Sequence, residues 1–163
     1  GGSEADHAYG GRGIDRLAGL GGEDRMYGEE GPDALVGGED DDRLYAGGGG
    51  GVVIGGVGED EMVGGGERDR LDGLADADDL AGGRGDDRLE GGKGDDLLDG
   101  EEGDDSIFGE LGRDVMLGGD GDDFVDATDA TPGDKVDCGS GSEDVVQIDN
   151  GDRASNCEII RSP

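Results

Sequence analysis

Aspartate recurs every nine residues through most of this chain, at Asp6, Asp15, Asp24, Asp33 and Asp42 and again at Asp60, Asp69, Asp78, Asp87, Asp96, Asp105, Asp114 and Asp123. Two places before many of them stands a glycine: Gly13, Gly31, Gly58, Gly85, Gly94, Gly103, Gly112 and Gly121. The chemistry of that pairing is simple. A carboxylate is a hard, charged oxygen donor, and glycine admits the left-handed backbone that lets a tight turn aim its carbonyls at one spot. Oxygen-only donors in irregular geometry suit calcium. The residues therefore point to hard-cation binding at turns.

Those turns must be held by something. The cleanest stretch, residues 82–126, reads GGRGDDRLE, GGKGDDLLD, GEEGDDSIF, GELGRDVML and GGDGDDFVD, five nonapeptides end to end. Each has Gly at its first and fourth places, Asp at its sixth and one large aliphatic residue at its eighth. An aliphatic residue with a neighbour on each side is the shortest strand that presents one buried side chain. The spacing predicts six residues of turn and three of strand, repeated as a solenoid.

The pattern G-G-x-G-x-D-x-U-x in these units resembles the calcium-binding nonapeptide of the repeats-in-toxin (RTX, haemolysin-type) family. The resemblance implies an all-β fold, a parallel β-roll with two nonapeptides per coil. It also implies calcium ions held between turns of adjacent coils on the same side.

The phase starts at residue 1 and runs for fourteen units to Asp126, with Asp at the sixth place in 13 of 14. The sixth unit, AGGGGGVVI, is the outlier, with Gly51 in the Asp position. The eighth places supply the inward stripe: Leu17, Met26, Leu35, Leu44, Val53, Met62, Leu71, Leu80, Leu89, Leu98, Ile107, Met116 and Val125. Two units per coil make seven coils, with odd and even units in two facing sheets around a core one side chain deep. Pairing each unit with the next but one allows about twelve corner sites. The missing Asp at residue 51 weakens two, leaving about ten calcium ions.

Composition sets the background. The 163 residues include 41 glycines, 30% hydrophobic and 3% aromatic residues, and a formal charge of −32. Such a polyanion buries too little apolar surface to offset its backbone entropy and repels its own compaction. Composition alone favours disorder, but a strict period has no use in a disordered tail. Bound ions are expected to supply much of the folding free energy. Nucleic acid is excluded as a partner by the acidic surface. No apolar run has the length of a membrane span and no secretory signal peptide is seen, so the chain reads as a mature form or an excised region.

Past Asp126 the period breaks, although Asp134 and Val136 briefly resume it. Residues 127–163 read as a non-repeating cap that closes the last coil. The chain's only cysteines, Cys138 and Cys157, lie there. An even pair in a secreted acidic protein suggests a disulfide; two free buried thiols are the alternative. The domain organisation is thus a β-roll over residues 1–126 and a cap over 127–163, in an extracellular, secreted or cell-surface protein. No matching cap precedes Gly1, so an upstream domain of the same protein, a frayed end or self-association would meet the open edge strands.

Tyr9, Tyr27 and Tyr45 share the ninth place of odd units, with Arg25 and Arg43 beside two of them. An outward aromatic file suits a glycan or peptide partner; the plainer reading is that it covers a thin sheet. Enzymatic function finds no support. His7, the sole histidine, sits in a degenerate unit with no nucleophile in view, and the glycine runs lack the Lys-Ser/Thr of a phosphate loop. The reading is a calcium-binding structural or stabilising module, with adhesion or self-assembly as the alternative.

Overall fold

The computed structural model describes residues 1–162 and is built of strands and turns alone. One parallel sheet takes the odd strands: β1 (His7–Arg12), β3 (Arg25–Glu30), β5 (Arg43–Gly47), β7 (Glu61–Gly65), β9 (Asp79–Arg84), β11 (Leu97–Glu102), β13 (Val115–Asp120), β15 (Lys135–Ser140) and β17 (Arg153–Ser155). The other takes the even strands: β2 (Arg16–Gly21), β4 (Ala34–Glu39), β6 (Val52–Val57), β8 (Arg70–Ala75), β10 (Arg88–Lys93), β12 (Ser106–Leu111), β14 (Phe124–Ala127), β16 (Val145–Ile148) and β18 (Ile159–Arg161). The chain crosses from one sheet to the other after every strand. Nine strands per sheet at the usual parallel spacing give a rod about 38 Å long.

The register is that of the nonapeptide doubled: Ala8 faces Met26, Leu17 faces Leu35 and Leu89 faces Ile107. Every eighth-place residue from Met26 to Val125 is fully buried between the sheets, with Leu17 partly so at the end. The inward stripe is therefore where the period places it.

Two expectations need correction. Strands are mostly six residues long, because positions one to three of the following unit stay in the ladder, as in Gly11 opposite Glu29 and Arg12 opposite Glu30. The residue at position two of the following unit is left-handed throughout, from Gly11 to Gly119 and including Leu20, Glu29, Leu74, Glu101 and Glu110, and it bends the strand without ending it, so only positions four to six leave the ladder. The solenoid also outlasts its repeats. The segment read as a non-repeating cap has lost the nine-residue period, but β15 to β18 extend the same two sheets, so the seven coils of nonapeptides are followed by two more. Register absorbs the irregular spacing: Val115 faces Lys135 and Phe124 faces Val145, with extra residues looped out before each. Cys138 and Cys157 form a disulfide that ties β15 to the turn before β18.

With one side chain per strand across the core, a single deletion is felt by both sheets. Leu89→Ala removes a fully buried side chain, and we expect it to destabilise the calcium-saturated chain by about 2–5 kcal/mol. Urea unfolding followed by circular dichroism checks this, with the exposed Glu102→Ala as a reference expected within about 0.5 kcal/mol of the parent.

Candidate metal centre

The turns between strands are where the recurring acids converge. All eight fourth-place glycines named from the sequence adopt left-handed backbone, with φ between 113° at Gly85 and 155° at Gly112. A Cβ on Gly31 would run into the carbonyl of Gly13 one coil away, so the turns are stacked too closely for a side chain there. Gly22, a fourth-place glycine outside that set, does the same with φ 93°. Asp40 and Asp76 take that place in two other units at φ 77°, a conformation aspartate tolerates better than most residues.

Each sixth-place carboxylate has two distinct oxygens. From Asp24 onward, Oδ1 accepts the backbone N–H of the equivalent residue one coil earlier: Asp6 to Asp24 at 2.7 Å, Asp42 to Asp60 at 2.8 Å, Asp78 to Asp96 at 2.8 Å. On the other side the sequence is Asp15 to Asp33 at 2.8 Å, Asp69 to Asp87 at 2.7 Å and Asp105 to Asp123 at 2.8 Å. Oδ2 is buried and has no hydrogen-bond partner in Asp15, Asp24, Asp33, Asp42, Asp60, Asp69, Asp78, Asp87, Asp96, Asp105, Asp114 and Asp123. Asp6, in the first coil, is only half-buried.

The first-place glycines explain how that oxygen fits. Their φ is ordinary; what matters is the side chain they lack. A Cβ on Gly91, Gly82 or Gly64 would fall 2.5, 2.6 or 2.7 Å from the Oδ2 of Asp96, Asp87 or Asp69. A Cβ at Gly91 would also stand 2.8 Å from the carbonyl oxygen of Gly109 in the next coil. The missing side chain leaves a cradle beside a carboxylate oxygen and a backbone carbonyl. Among the described residues no three carboxylate, imidazole or thiol side chains converge on one point. Any cation held here has one Asp per turn and main-chain oxygens, a donor set that fits calcium and not a soft metal.

Burial away from water pushes these acids up. Asp78 and Asp105 rise to about 8, Asp60, Asp69 and Asp114 to about 7, and Asp42, Asp87, Asp96 and Asp123 to about 6. In each case the donated backbone N–H opposes the rise and neighbouring carboxylates add to it.

A model of the RTX calcium-binding nonapeptide repeat, four copies long, matches residues 1–35, 19–53, 54–89, 82–116, 90–125 and 111–129. The chain belongs to that family. No curated protein matches it.

Within the RTX array one unit is built differently. Unit six carries two changes: Gly51 replaces the sixth-place Asp, and Ala46 replaces the first-place Gly. Ala46 is buried in the core, and a Cβ on Gly51 would stand 3.0 Å from its methyl. The methyl occupies the space a carboxylate oxygen takes in the other units, so the two changes compensate. Asp69 Oδ1 still accepts the Gly51 N–H at 2.5 Å, but residue 51 returns no carboxylate to Asp33. The missing acid is legible in the sequence; its coupling to Ala46 is not.

Two acids in the tail join the array: Asp134, whose resumption of the period is visible in the sequence though not its role as a site, and Asp144, which the broken period hides. Asp134 and Asp144 are buried with an unpartnered Oδ2, like the RTX aspartates. The signal lay in the tripeptides Asp134-Lys135-Val136 and Asp144-Val145-Val146, which keep the D-x-U core of the repeat without its glycines.

The tyrosine file forms as its spacing requires. Rings of Tyr9 and Tyr27 stack at 5.1 Å, and those of Tyr27 and Tyr45 at 5.0 Å. The Tyr45 hydroxyl donates to Glu61 Oε1 at 2.6 Å, which pushes its pKa up to about 12.

Metal-free stability follows from the raised acids. Unfolded aspartates release their protons near 3.8, while the folded ones hold them to between about 6 and 8. The folded chain binds more protons through that window, so its metal-free stability is greatest at acidic pH and falls as pH rises through it. We expect more β signal in chelator at pH 5 than at pH 8, and an apparent calcium affinity that moves the opposite way; circular dichroism and calcium titration at both pH values read the two effects. For unit six, Ala46→Gly alone is expected to cost about 1 kcal/mol and Gly51→Asp alone more. The double variant should cost less than the sum, which a double-mutant cycle in urea measures.

Proposed function

We propose that this chain is a calcium-dependent structural module of a secreted or cell-surface protein. The supporting observation is the two files of buried carboxylate oxygens without a protein partner, each beside a glycine whose missing side chain leaves a cradle. Burying such an oxygen uncompensated costs several kcal/mol, and a dozen of them could not be sustained by a core one residue thick. Calcium supplies the compensating charge. The residues that hold it are the sixth-place aspartates from Asp6 to Asp123, with main-chain oxygens of the turns shaped by Gly13, Gly31, Gly58, Gly85, Gly94, Gly103, Gly112 and Gly121. About ten ions would bring the chain from −32 to about −12 and relieve its self-repulsion.

Coupling of binding to folding gives the module its use. A chain that folds only with its metal is a switch set by the calcium level, and weak extracellular-type sites, about 10⁻⁴–10⁻³ M, stay empty in a cytosol and fill outside it. The disulfide of Cys138 and Cys157 agrees with an oxidising compartment. The tyrosine file serves this module as cover: the rings stack on one another and the Tyr45 hydroxyl is engaged by Glu61. Catalysis has no part in the proposal, since the buried acids are committed to the turns.

The expected outcome in EDTA at pH 8 is loss of the β spectrum and an expanded hydrodynamic radius, both restored as calcium is added. An unchanged spectrum and radius in chelator would sink the proposal.

A further inference from the structure

The family match ends at residue 129, but the ladder of carboxylates does not. Asp134 Oδ1 accepts the Asp114 N–H at 2.9 Å and Asp144 Oδ1 accepts the Asp123 N–H at 2.8 Å, the same link that joins the turns of the repeats. Exposure of the two residues is 1% and 0%. Each leaves its Oδ2 buried and unpartnered. Their own N–H groups are met from the next coil in turn: Asp152 Oδ1 accepts from Gly133 at 2.9 Å and Asp134 at 3.2 Å, and Glu158 Oε2 accepts from Asp144 at 3.1 Å. The files therefore run Asp114, Asp134, Asp152 on one side and Asp123, Asp144, Glu158 on the other.

At the junction the last repeat acid, Asp123, already takes its neighbouring carbonyl from the tail. A Cβ on Gly118 would meet both Asp123 Oδ2 and the carbonyl of Cys138, as one on Gly91 would meet Asp96 Oδ2 and the carbonyl of Gly109. The looped-out residues before Asp134 and Asp144 absorb the irregular sequence so that these acids reach the same inward place. A carboxylate oxygen sealed from water and left without a donor has the same need at residue 134 as at residue 96.

We propose that Asp134 and Asp144 each hold a further calcium ion, so that the array of sites extends two places beyond the nonapeptides into the tail. This rests on the calcium reading of the repeats. The tail then is a bound-metal continuation of the roll and not only an apolar lid. The disulfide, which ties Cys138 in β15 to Cys157 next to Glu158, keeps the outermost turn on the last of these sites.

Ion counting on the full chain in saturating calcium, by native mass spectrometry, tests this. The double variant Asp134→Asn/Asp144→Asn should bind about two ions fewer than the parent while keeping its β spectrum. The repeat variant Asp96→Asn serves as the reference for loss within the nonapeptides. An unchanged count in the double variant, with a reduced count for Asp96→Asn, overturns the tail sites and leaves the repeat sites standing. A parent chain that binds no calcium overturns both. Where the double variant does not fold, crystals of the parent grown in calcium decide the matter. Anomalous difference peaks beside Asp134 and Asp144 Oδ2 support the proposal, and a file of peaks that ends at Asp123 overturns it.

Discussion

Two rows of carboxylate oxygens, sealed from water with no protein donor to meet them, set the terms for everything else in this fold. In an ordinary domain such groups would be eliminated, because an unpaired buried acid opposes folding more strongly than most single contacts favour it. Here they recur at every coil. From Asp24 onward each carboxylate is half satisfied by a backbone N–H from the coil before, which fixes its direction, and the free oxygen lies against the first-place glycine of its own unit. The glycine at the first place of each unit lacks a side chain so that this oxygen has room. Core, turn and acid are thus one unit of design.

The same logic explains why the core can be so thin. One aliphatic side chain per strand, alternating with outward polar residues, does not outweigh the entropy of ordering six or nine residues. Solenoids add stability coil by coil through nearest neighbours, and here part of each neighbour term is the Asp-to-backbone link between turns. On the outer surface, ion pairs between coils such as Arg68 with Asp86 and Arg43 with Glu61 lie exposed and contribute little each. They spread the few cations along the rod and blunt the repulsion of its acids.

Unit six shows that the array tolerates a gap when the gap is filled. An Ala methyl stands where a carboxylate oxygen would, and the acid that needs that space is gone with it. The local cost is one missing link to Asp33. The strands on either side, β4 and β8, remain in register with β6 between them, because main-chain pairing does not depend on that acid.

Residue types and their nine-residue spacing alone determined a solenoid of turns and short strands, the buried stripe from Met26 to Val125 and the acids at the turns; two nonapeptides per coil, and with them the two facing sheets, were implied by the resemblance to the RTX family. They do so because a solenoid repeats one local environment, so a period in sequence is a period in space. The cysteine pairing was legible as one of two alternatives. Strand length was not: the sequence marks where glycine permits a bend, but only stacking against the next coil shows that positions one to three stay paired. The continuation through β15 to β18 was hidden for the opposite reason. Loops of irregular length erase the period along the chain, while parallel pairing is decided between coils and needs only an acid and a branched residue two apart, as at Asp144 and Val146. The exchange of Ala46 and Gly51 likewise became visible only in space, since what couples them is the single volume they share.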